Sequence, residues 1–154
     1  MATDNIAVVR KNVEQAWNKG NFDVLGETIS PSLVAHDPVF GEYRGPAGEM
    51  KHITMLRTAF PDLNLRIDDI GAAGDRVFMR WTATGTHRGA LLNLPATQRR
   101  STVAGITLMR VEGGKICETW QSWDTHGLLT SLGVAQPLEQ LARAAGSQPG
   151  IARP

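Results

Sequence analysis

The sequence predicts an α+β fold in which helices come first and consecutive strands follow. Apolar residues before residue 61 recur mainly at helical spacing, whereas those between residues 63 and 124 alternate with polar ones. The alternating segments are separated by glycine-containing turns, of which Glu112-Gly113-Gly114 is typical of a hairpin. Helices followed by hairpin-linked strands favour an antiparallel sheet that is covered on one face by helices.

Three helices are predicted in the first part of the chain. The first covers residues 6–17, whose apolar positions repeat at helical spacing, and it ends at Gly20. A second, short helix covers residues 22–29. The third begins with Pro46, because proline is favoured at the first helical position, and it ends before Pro61.

Alternation of apolar and polar residues predicts the strands of the sheet. The predicted strands cover residues 33–36, 63–67, 77–87, 98–111 and 116–124. A short helix over residues 128–132, capped by Gly133, closes the pattern. Residues 1–143 are therefore predicted to form a single domain, and residues 144–154 a flexible C-terminal tail.

Composition and charge exclude several classes of protein. Hydrophobic residues make up 42% of the chain and charged residues 20%, which is ordinary for a globular domain. Sixteen basic and fifteen acidic side chains give a net charge of +1, so no nucleic-acid partner is expected. One cysteine, no apolar leader and no apolar run of membrane-spanning length predict a cytoplasmic protein without membrane association.

Two polar side chains at strand ends are the predicted catalytic residues. His87 ends the strand of residues 77–87, and Asp124 ends the last strand. Because side chains alternate along a strand, His87 shares a face with Trp81, and Asp124 shares a face with Trp120. If both faces line one cavity, an imidazole and a carboxylate meet at an apolar, tryptophan-walled pocket. Such a pocket is suited to proton transfer on an apolar substrate.

Each candidate also has a structural interpretation. Asp124 is well placed to be the N-cap of the closing helix, and His87 could be a hydrogen-bonded structural residue. In the sequence His36-Asp37-Pro38, His36 could contact substrate and Asp37 could be a second catalytic carboxylate. An aspartate before proline is equally typical of a turn.

The remaining predicted substrate contacts are aromatic and apolar. Trp17, Trp81 and Trp120 are candidates because aromatic side chains wall many apolar sites, although Trp17 also fits a core position. Met50 and Ile53 lie on the apolar stripe of the third helix and are predicted to join them. No metal site is predicted, because the histidines at positions 36, 52, 87 and 126 show no ligand pairing on one element.

Short motifs in a characteristic order connect the chain to a known family. They are Trp17-Asn18-Lys19-Gly20-Asn21-Phe22, His36-Asp37-Pro38, Gly45-Pro46-Ala47-Gly48, Phe60-Pro61-Asp62, Gly85-Thr86-His87-Arg88-Gly89, Gly113-Gly114-Lys115-Ile116, Asp124, Gly127-Leu128-Leu129 and Leu132-Gly133. In this order they resemble the SnoaL-like polyketide cyclases, also called SnoaL-like ester cyclases, of the NTF2-like superfamily. The resemblance runs from about Ile6 to Gly133.

The resemblance implies a cone-shaped barrel, in which N-terminal helices pack on the concave face of a curved antiparallel sheet. It also implies a homo-oligomer, a dimer or tetramer, without metal or organic cofactor. In the family, the aspartate at the end of the last long strand is the acid/base, which matches Asp124, and the histidine of the Gly-Thr-His-x-Gly stretch lies in the pocket, which matches His87. This chain departs from the pattern in the leucine-rich stretch 91–95 and at Arg99-Arg100.

The predicted function is that of a cofactor-independent acid–base enzyme. By resemblance, it would catalyse an intramolecular aldol condensation on a small, apolar, carbonyl-bearing molecule. One alternative is an epoxide hydrolase or isomerase on the same fold, for which the superfamily uses acids around an arginine inside the cavity. The other alternative is a small-molecule-binding or dimerisation module without chemistry.

Overall fold

The computed structural model of the chain describes residues 2–146. Its helices are α1 (Ala2–Lys11), α2 (Leu25–Thr28), α3 (Gly45–Ala59), α4 (Thr125–Ser131) and α5 (Leu138–Gly146). Its strands are β1 (Ile29–Asp37), β2 (Gly41–Arg44), β3 (Asn64–Ala73), β4 (Arg76–Thr86), β5 (Arg100–Glu112) and β6 (Lys115–Trp123). A π-helical turn (Asn12–Trp17) extends α1, and a 3₁₀ turn (Phe22–Val24) precedes α2.

Within residues 2–146, six strands form one mixed sheet in the order β2-β1-β6-β5-β4-β3. Strands β3 to β6 are an antiparallel meander, β1 pairs with β6 in parallel, and β2 pairs with β1 antiparallel. The α+β class is thus confirmed, but the sheet is mixed rather than wholly antiparallel. A pairing between distant strands has no local turn that would reveal its direction in the sequence.

Register shifts interrupt the ladder in three strand pairs and help the sheet to curve. They lie between Ile67 and Asp69, between Arg110 and Val111, and between Ile29 and Val34. A bulge bends its strand and increases the local twist. On the concave side, α1 packs against β3, β4 and β6, and α3 packs against β1 and β2.

Several element boundaries differ from the prediction. Strand β2 and helix α5 were not predicted, and β3 continues to Ala73. Helix α5 ends at Gly146, so residues 144–146 of the predicted tail are helical. The rest of the predicted tail, residues 147–154, lies outside the described residues. No helix within residues 2–146 is long and apolar enough to span a membrane.

The core lies between the helices and the concave face of the sheet. Val9 and Val13 from the first helical segment meet buried strand residues such as Val77 and Met109. Along β5, buried and exposed residues alternate from Arg100 to Glu112, so every second side chain points inward. Full burial of each large aliphatic side chain contributes about 1.5–3 kcal/mol.

Candidate active site

A cavity lies between the first helical segment, α3 and the concave face of the sheet. The empty space inside its boundary is about 1060 Å³, a figure that includes open solvent at its mouth. Most of its wall is apolar. A group of polar side chains in the wall, here called the polar cluster, consists of Asp37, Tyr43, Glu49, His52 and Gln121.

Glu49 is the buried carboxyl group of the polar cluster. It lies on α3 with 5% of its surface exposed, and Trp17 Nε1 donates to its Oε1 at 3.2 Å. Burial raises the pKa of the Glu49 carboxyl to about 7, although hydrogen bonds from Tyr43 and Trp17 oppose this shift. Near neutral pH the charged and the protonated forms of this carboxyl group are therefore both populated.

His52 follows Glu49 by three residues and shares its face of α3. Its ring stacks on Tyr43 with centroids 4.5 Å apart, and Phe40 and Trp17 contact it edge-on at 5.3 and 5.7 Å. Burial lowers the pKa of His52 to about 4, against the opposing charge of Asp37. The imidazole is therefore neutral at pH 7 and adds no positive charge to the cavity wall.

Asp37 ends β1 and closes the turn that follows it. Its Oδ1 accepts hydrogen bonds from the backbone N–H groups of Val39 and Phe40, at 2.8 and 2.9 Å. Its Oδ2 accepts one from Trp123 Nε1 at 3.1 Å. Asp37 thus has the turn geometry that an aspartate before proline favours, and it also fixes an indole ring in the cavity wall.

Tyr43 and Gln121 extend the hydrogen bonding of Glu49 to the sheet. Gln121 Nε2 donates to the Tyr43 hydroxyl at 3.2 Å, and this hydroxyl also interacts with Glu49. Burial, with the nearby charge of Glu49, raises the pKa of Tyr43 well above its usual value. The phenol therefore stays protonated and remains a donor across the physiological pH range.

Asp124 lies outside the cavity. It is exposed and is the N-cap of α4, where its Oδ1 accepts a hydrogen bond from Gly127 N at 2.8 Å. The prediction that it faces the pocket is wrong, because β6 ends at Trp123 and the chain turns into α4 at this residue. Asp124 therefore takes the helix N-cap position that its structural interpretation predicted.

The predicted inward face of β6 is also wrong. Thr119, Gln121 and Trp123 line the cavity, whereas Trp120 lies on the outer face. There the Trp120 ring stacks on His36 at 5.7 Å. Tryptophans stand on both faces of this strand, so alternation showed which residues share a face but not which face is inside.

His36 is therefore placed with Trp120 rather than with the cavity. The two residues are paired in register across β1 and β6. His36 Nε2 lies 2.9 Å from Glu118 Oε2, and this hydrogen bond holds the pKa of Glu118 below its usual value. The predicted place of His36 in the cavity is wrong, because this face of the sheet points away from the cavity.

His87 is buried but does not line the cavity. It follows the last residue of β4, and its ring stacks on Phe60 with centroids 5.3 Å apart. Its Nδ1 accepts a hydrogen bond from Thr97 N at 3.1 Å, which ties down the loop between β4 and β5. The prediction that His87 and Asp124 meet in one pocket is wrong, because both follow the last residue of their strands.

The remaining predicted contacts divide into two groups. Trp17 and Trp81 line the cavity, and their binding of substrate stays a prediction. Met50 is 42% exposed and Ile53 is fully buried in the core, and neither lines the cavity. Their predicted place in the cavity wall is wrong, because the cavity-facing positions of α3 are Glu49, His52 and Leu56, which repeat at helical spacing.

Sequence reasoning missed the polar cluster apart from Asp37. A signal was present: Glu49 and His52 are spaced by three residues, which puts two titratable side chains on one face of a predicted amphipathic helix. Within residues 2–146, no group of three or more His, Cys, Asp or Glu side chains is arranged to hold a metal ion. The polar cluster combines one carboxyl group that titrates near neutrality with neutral hydrogen-bond donors, which is a set suited to moving a proton.

Comparison with known proteins shows the family of the chain. The family model for SnoaL-like polyketide cyclases matches residues 7–132. The chain is 33% identical over 139 residues to the aklanonic acid methyl ester cyclase of Streptomyces sp. (strain C5), covering 86% of this chain and 83% of that protein. It is 29% identical over 125 residues to the nogalonic acid methyl ester cyclase of Streptomyces nogalater, covering 79% of this chain and 92% of that protein.

Solved structures match the fold. TsrD of Streptomyces laurentii superposes with a TM-score of 0.78 at 27% identity, covering 86% of this chain and 97% of that one. An LEH-like epoxide hydrolase of M. tuberculosis superposes with a TM-score of 0.69 at 18% identity, over 96% and 98% of the two chains, and this likeness shows the fold alone. Matched by the family model over most of its length, and by named cyclases at up to 33% identity, the chain belongs to the SnoaL-like polyketide cyclases.

Proposed function

We propose that this protein closes a ring by intramolecular aldol condensation of an apolar, carbonyl-bearing polyketide ester. The observation that carries the proposal is the buried Glu49 carboxyl, whose pKa is raised to about 7 in an apolar cavity. The similar proteins are named as cyclases of aklanonic and nogalonic acid methyl esters. A polyketide ester supplies both an acidic carbon beside a carbonyl and a second carbonyl to attack.

In the proposed reaction, Glu49 is first the base and then the acid. Its carboxylate takes a proton from a carbon beside a carbonyl, and the resulting enolate attacks another carbonyl of the same molecule. The new carbon–carbon bond leaves an alkoxide, which receives the proton back from the Glu49 carboxylic acid. Positioned acid–base catalysis of this kind contributes about 10²- to 10⁴-fold, which suffices for a substrate whose carbon acid is already activated.

Tyr43 and His52 support the charge that develops on oxygen. Tyr43 stays protonated and can donate to an enolate or alkoxide oxygen near Glu49. The neutral His52 can donate or accept a hydrogen bond without adding a charge to the apolar cavity. Trp17 and Trp81 offer apolar surfaces against which a flat substrate can stack.

The decisive experiment compares Glu49→Gln with the wild type on aklanonic acid methyl ester and nogalonic acid methyl ester. Glutamine keeps the shape but cannot take the proton, so kcat should fall about 10²- to 10⁴-fold while the far-UV spectrum stays unchanged. In the wild type, kcat/KM should rise with pH through about 7 as the Glu49 carboxyl ionises. Glu118→Gln, which changes a carboxyl group on the outer face, is the matched control.

A second assay separates the rival functions. Ring closure that keeps the new hydroxyl leaves the mass of the ester unchanged, whereas an epoxide hydrolase given an epoxide in ¹⁸O-water adds labelled oxygen to it. Among the described residues that line the cavity there is no arginine, which does not favour the acid–arginine arrangement of the epoxide hydrolase alternative. Binding of both esters without any product would support the non-catalytic module and contradict the proposal.

The assembly and location of the protein also remain proposals. Phe78, Ile106 and Leu108 are exposed, on neighbouring strands β4 and β5, and would form the contact of a dimer or tetramer. Light scattering on the purified chain tests this assembly. A cytoplasmic location is tested by cell fractionation.

A further inference from the structure

Two hydroxyl groups in the cavity wall have no hydrogen-bond partner. They are Ser101 Oγ on β5 and Thr119 Oγ1 on β6, in residues that are 4% and 8% exposed. Both residues line the cavity. Among residues 2–146, the third buried side-chain N or O atom without a partner is His87 Nε2, which lies outside the cavity wall.

Other buried polar side chains of the same wall are satisfied within the protein. Thr107 Oγ1 accepts a hydrogen bond from Trp81 Nε1 at 2.9 Å, and Asn12 Nδ2 donates to Thr28 Oγ1 at 3.3 Å. A buried hydroxyl without a partner destabilises a folded protein, so most are paired. The two unpaired hydroxyls are therefore the positions of the wall where a ligand oxygen gains the most from binding.

We infer that Thr119 recognises an oxygen atom of the substrate beside the polar cluster. Thr119 precedes Gln121 by two residues on the same face of β6, so the two are roughly 7 Å apart along the strand. Ser101 lies six residues before Thr107, the register partner of Gln121, or roughly 20 Å along β5 on the other side, so a small ester that lies against the polar cluster does not reach it. The inference rests on the proposed function and adds a substrate group that the cavity selects.

The recognition predicted here is selective for oxygenated molecules. A carbonyl or hydroxyl oxygen can accept from Thr119 Oγ1, whereas an analogue with hydrogen at that position leaves the protein hydroxyl buried and unpaired. Sites built in this way discriminate strongly against the analogue that lacks the oxygen. Thr119 is thus a specificity residue, and proton transfer does not pass through it.

The test removes each hydroxyl with little change of shape, by Ser101→Ala and Thr119→Val. Binding of aklanonic acid methyl ester is followed by quenching of tryptophan fluorescence, since Trp17, Trp81 and Trp123 line the cavity. Thr119→Val should raise Kd and KM about tenfold, the loss of one hydrogen bond, and leave kcat within about threefold, whereas Ser101→Ala should leave Kd unchanged. The Tm of each ligand-free variant should equal or exceed that of the wild type, because an unpaired buried hydroxyl has been removed.

Two threonine-to-valine variants serve as matched controls. Thr107→Val removes a hydroxyl that is paired with Trp81 and should lower Tm. Thr102→Val changes an exposed residue of β5 and should leave both Tm and Kd unchanged.

The outcomes separate this inference from the proposed function. If Thr119→Val lowers Tm as Thr107→Val does and leaves Kd unchanged, its hydroxyl is structural and the inference is wrong. If it leaves Kd unchanged while Glu49→Gln abolishes turnover, the inference alone fails and the proposed function stands. Failure of the ester to bind the wild-type protein would overturn both.

Discussion

The buried side chains Glu49 and His52 make the stability of the folded protein depend on pH in opposite directions. The folded protein keeps a proton on Glu49 up to about pH 7, whereas the unfolded chain releases it near 4.5, so the stability due to Glu49 is lost as pH rises through this window. The unfolded chain protonates His52 below 6.5 but the folded protein only below about 4, so stability is lost as pH falls through that window. Between about pH 4.5 and 6.5 the two effects oppose each other.

Replacing either Glu49 or His52 should therefore expose the pH dependence of stability that the other residue causes. We expect Glu49→Gln to lose stability on acidification from pH 6.5 to 4, and His52→Gln to lose stability as pH rises from 4.5 to 7. Each effect is on the order of 3 kcal/mol when complete. Urea unfolding across this pH range measures the slopes, with His126→Gln on the exposed surface as control. Parallel slopes in all variants would contradict the assignment of these pKa shifts.

At the scale of the element, the junction between β6 and α4 depends on a cap. Asp124 accepts the Gly127 N–H at the start of α4, so Asp124→Ala should lower the free energy of unfolding by about 1 kcal/mol. Asp124→Asn should retain most of this stability, because asparagine is an equally good cap. Neither variant should change kcat by more than about twofold when assayed well below its Tm. Loss of kcat in the stable Asp124→Asn would show that this carboxyl acts in the chemistry after all.

A second element-scale contact shapes the floor of the cavity. The indole of Trp81 lies over Gly105 on the neighbouring strand, and a Cβ at residue 105 would come within 2.3 Å of its ring. We expect Gly105→Ala to destabilise the protein by about 1–3 kcal/mol, because the indole must move into the cavity. Gly26→Ala, where a Cβ meets nothing within 4 Å, is the matched control. Thermal unfolding measures both, and equal Tm values would contradict the contact.

The sequence predicted the positions of the helices and strands more reliably than which face of each strand is buried. Helix α3 and strands β4 to β6 carry long periodic patterns and were predicted to within two residues of their observed bounds. The first helix was predicted over residues 6–17 and is observed as α1 (Ala2–Lys11) with a π-helical turn (Asn12–Trp17). Strand β2 covers four residues (Gly41–Arg44) and has no room for a periodic pattern. Period-2 alternation groups side chains by face, but only tertiary packing decides which face is buried, and Trp120 and Trp123 made the two faces of β6 look alike.

The site was harder to predict because its chemistry comes from burial. Nothing in the local sequence shows that Glu49 loses its water, and its carboxyl becomes useful only when helix and sheet close over it. Asp124 and His87 looked catalytic because they are polar residues after apolar strands. The same position suits a helix cap and a loop anchor, which are the contacts that they make.

At the scale of the whole molecule, ligand binding and folding are linked through the cavity. A substrate that binds the folded chain alone stabilises it by about 2.7 kcal/mol at a concentration 100 times Kd. For a chain of this size we expect aklanonic acid methyl ester at that concentration to raise Tm by about 5–10 °C. Differential scanning fluorimetry with and without the ester measures the shift. An unchanged Tm under saturating conditions would contradict binding in the cavity.

The parallel pairing of β1 with β6 has a consequence for biosynthesis. The strand that emerges early from the ribosome finds its neighbour only after nearly the whole domain has been translated, since Ala35 lies beside Thr119. Until then Asp37 lacks its hydrogen bond from Trp123, and the cavity lacks the part of its wall that β6 supplies. Closure of the cavity is therefore a late event in synthesis, and a truncated chain that ends before β6 has no assembled site.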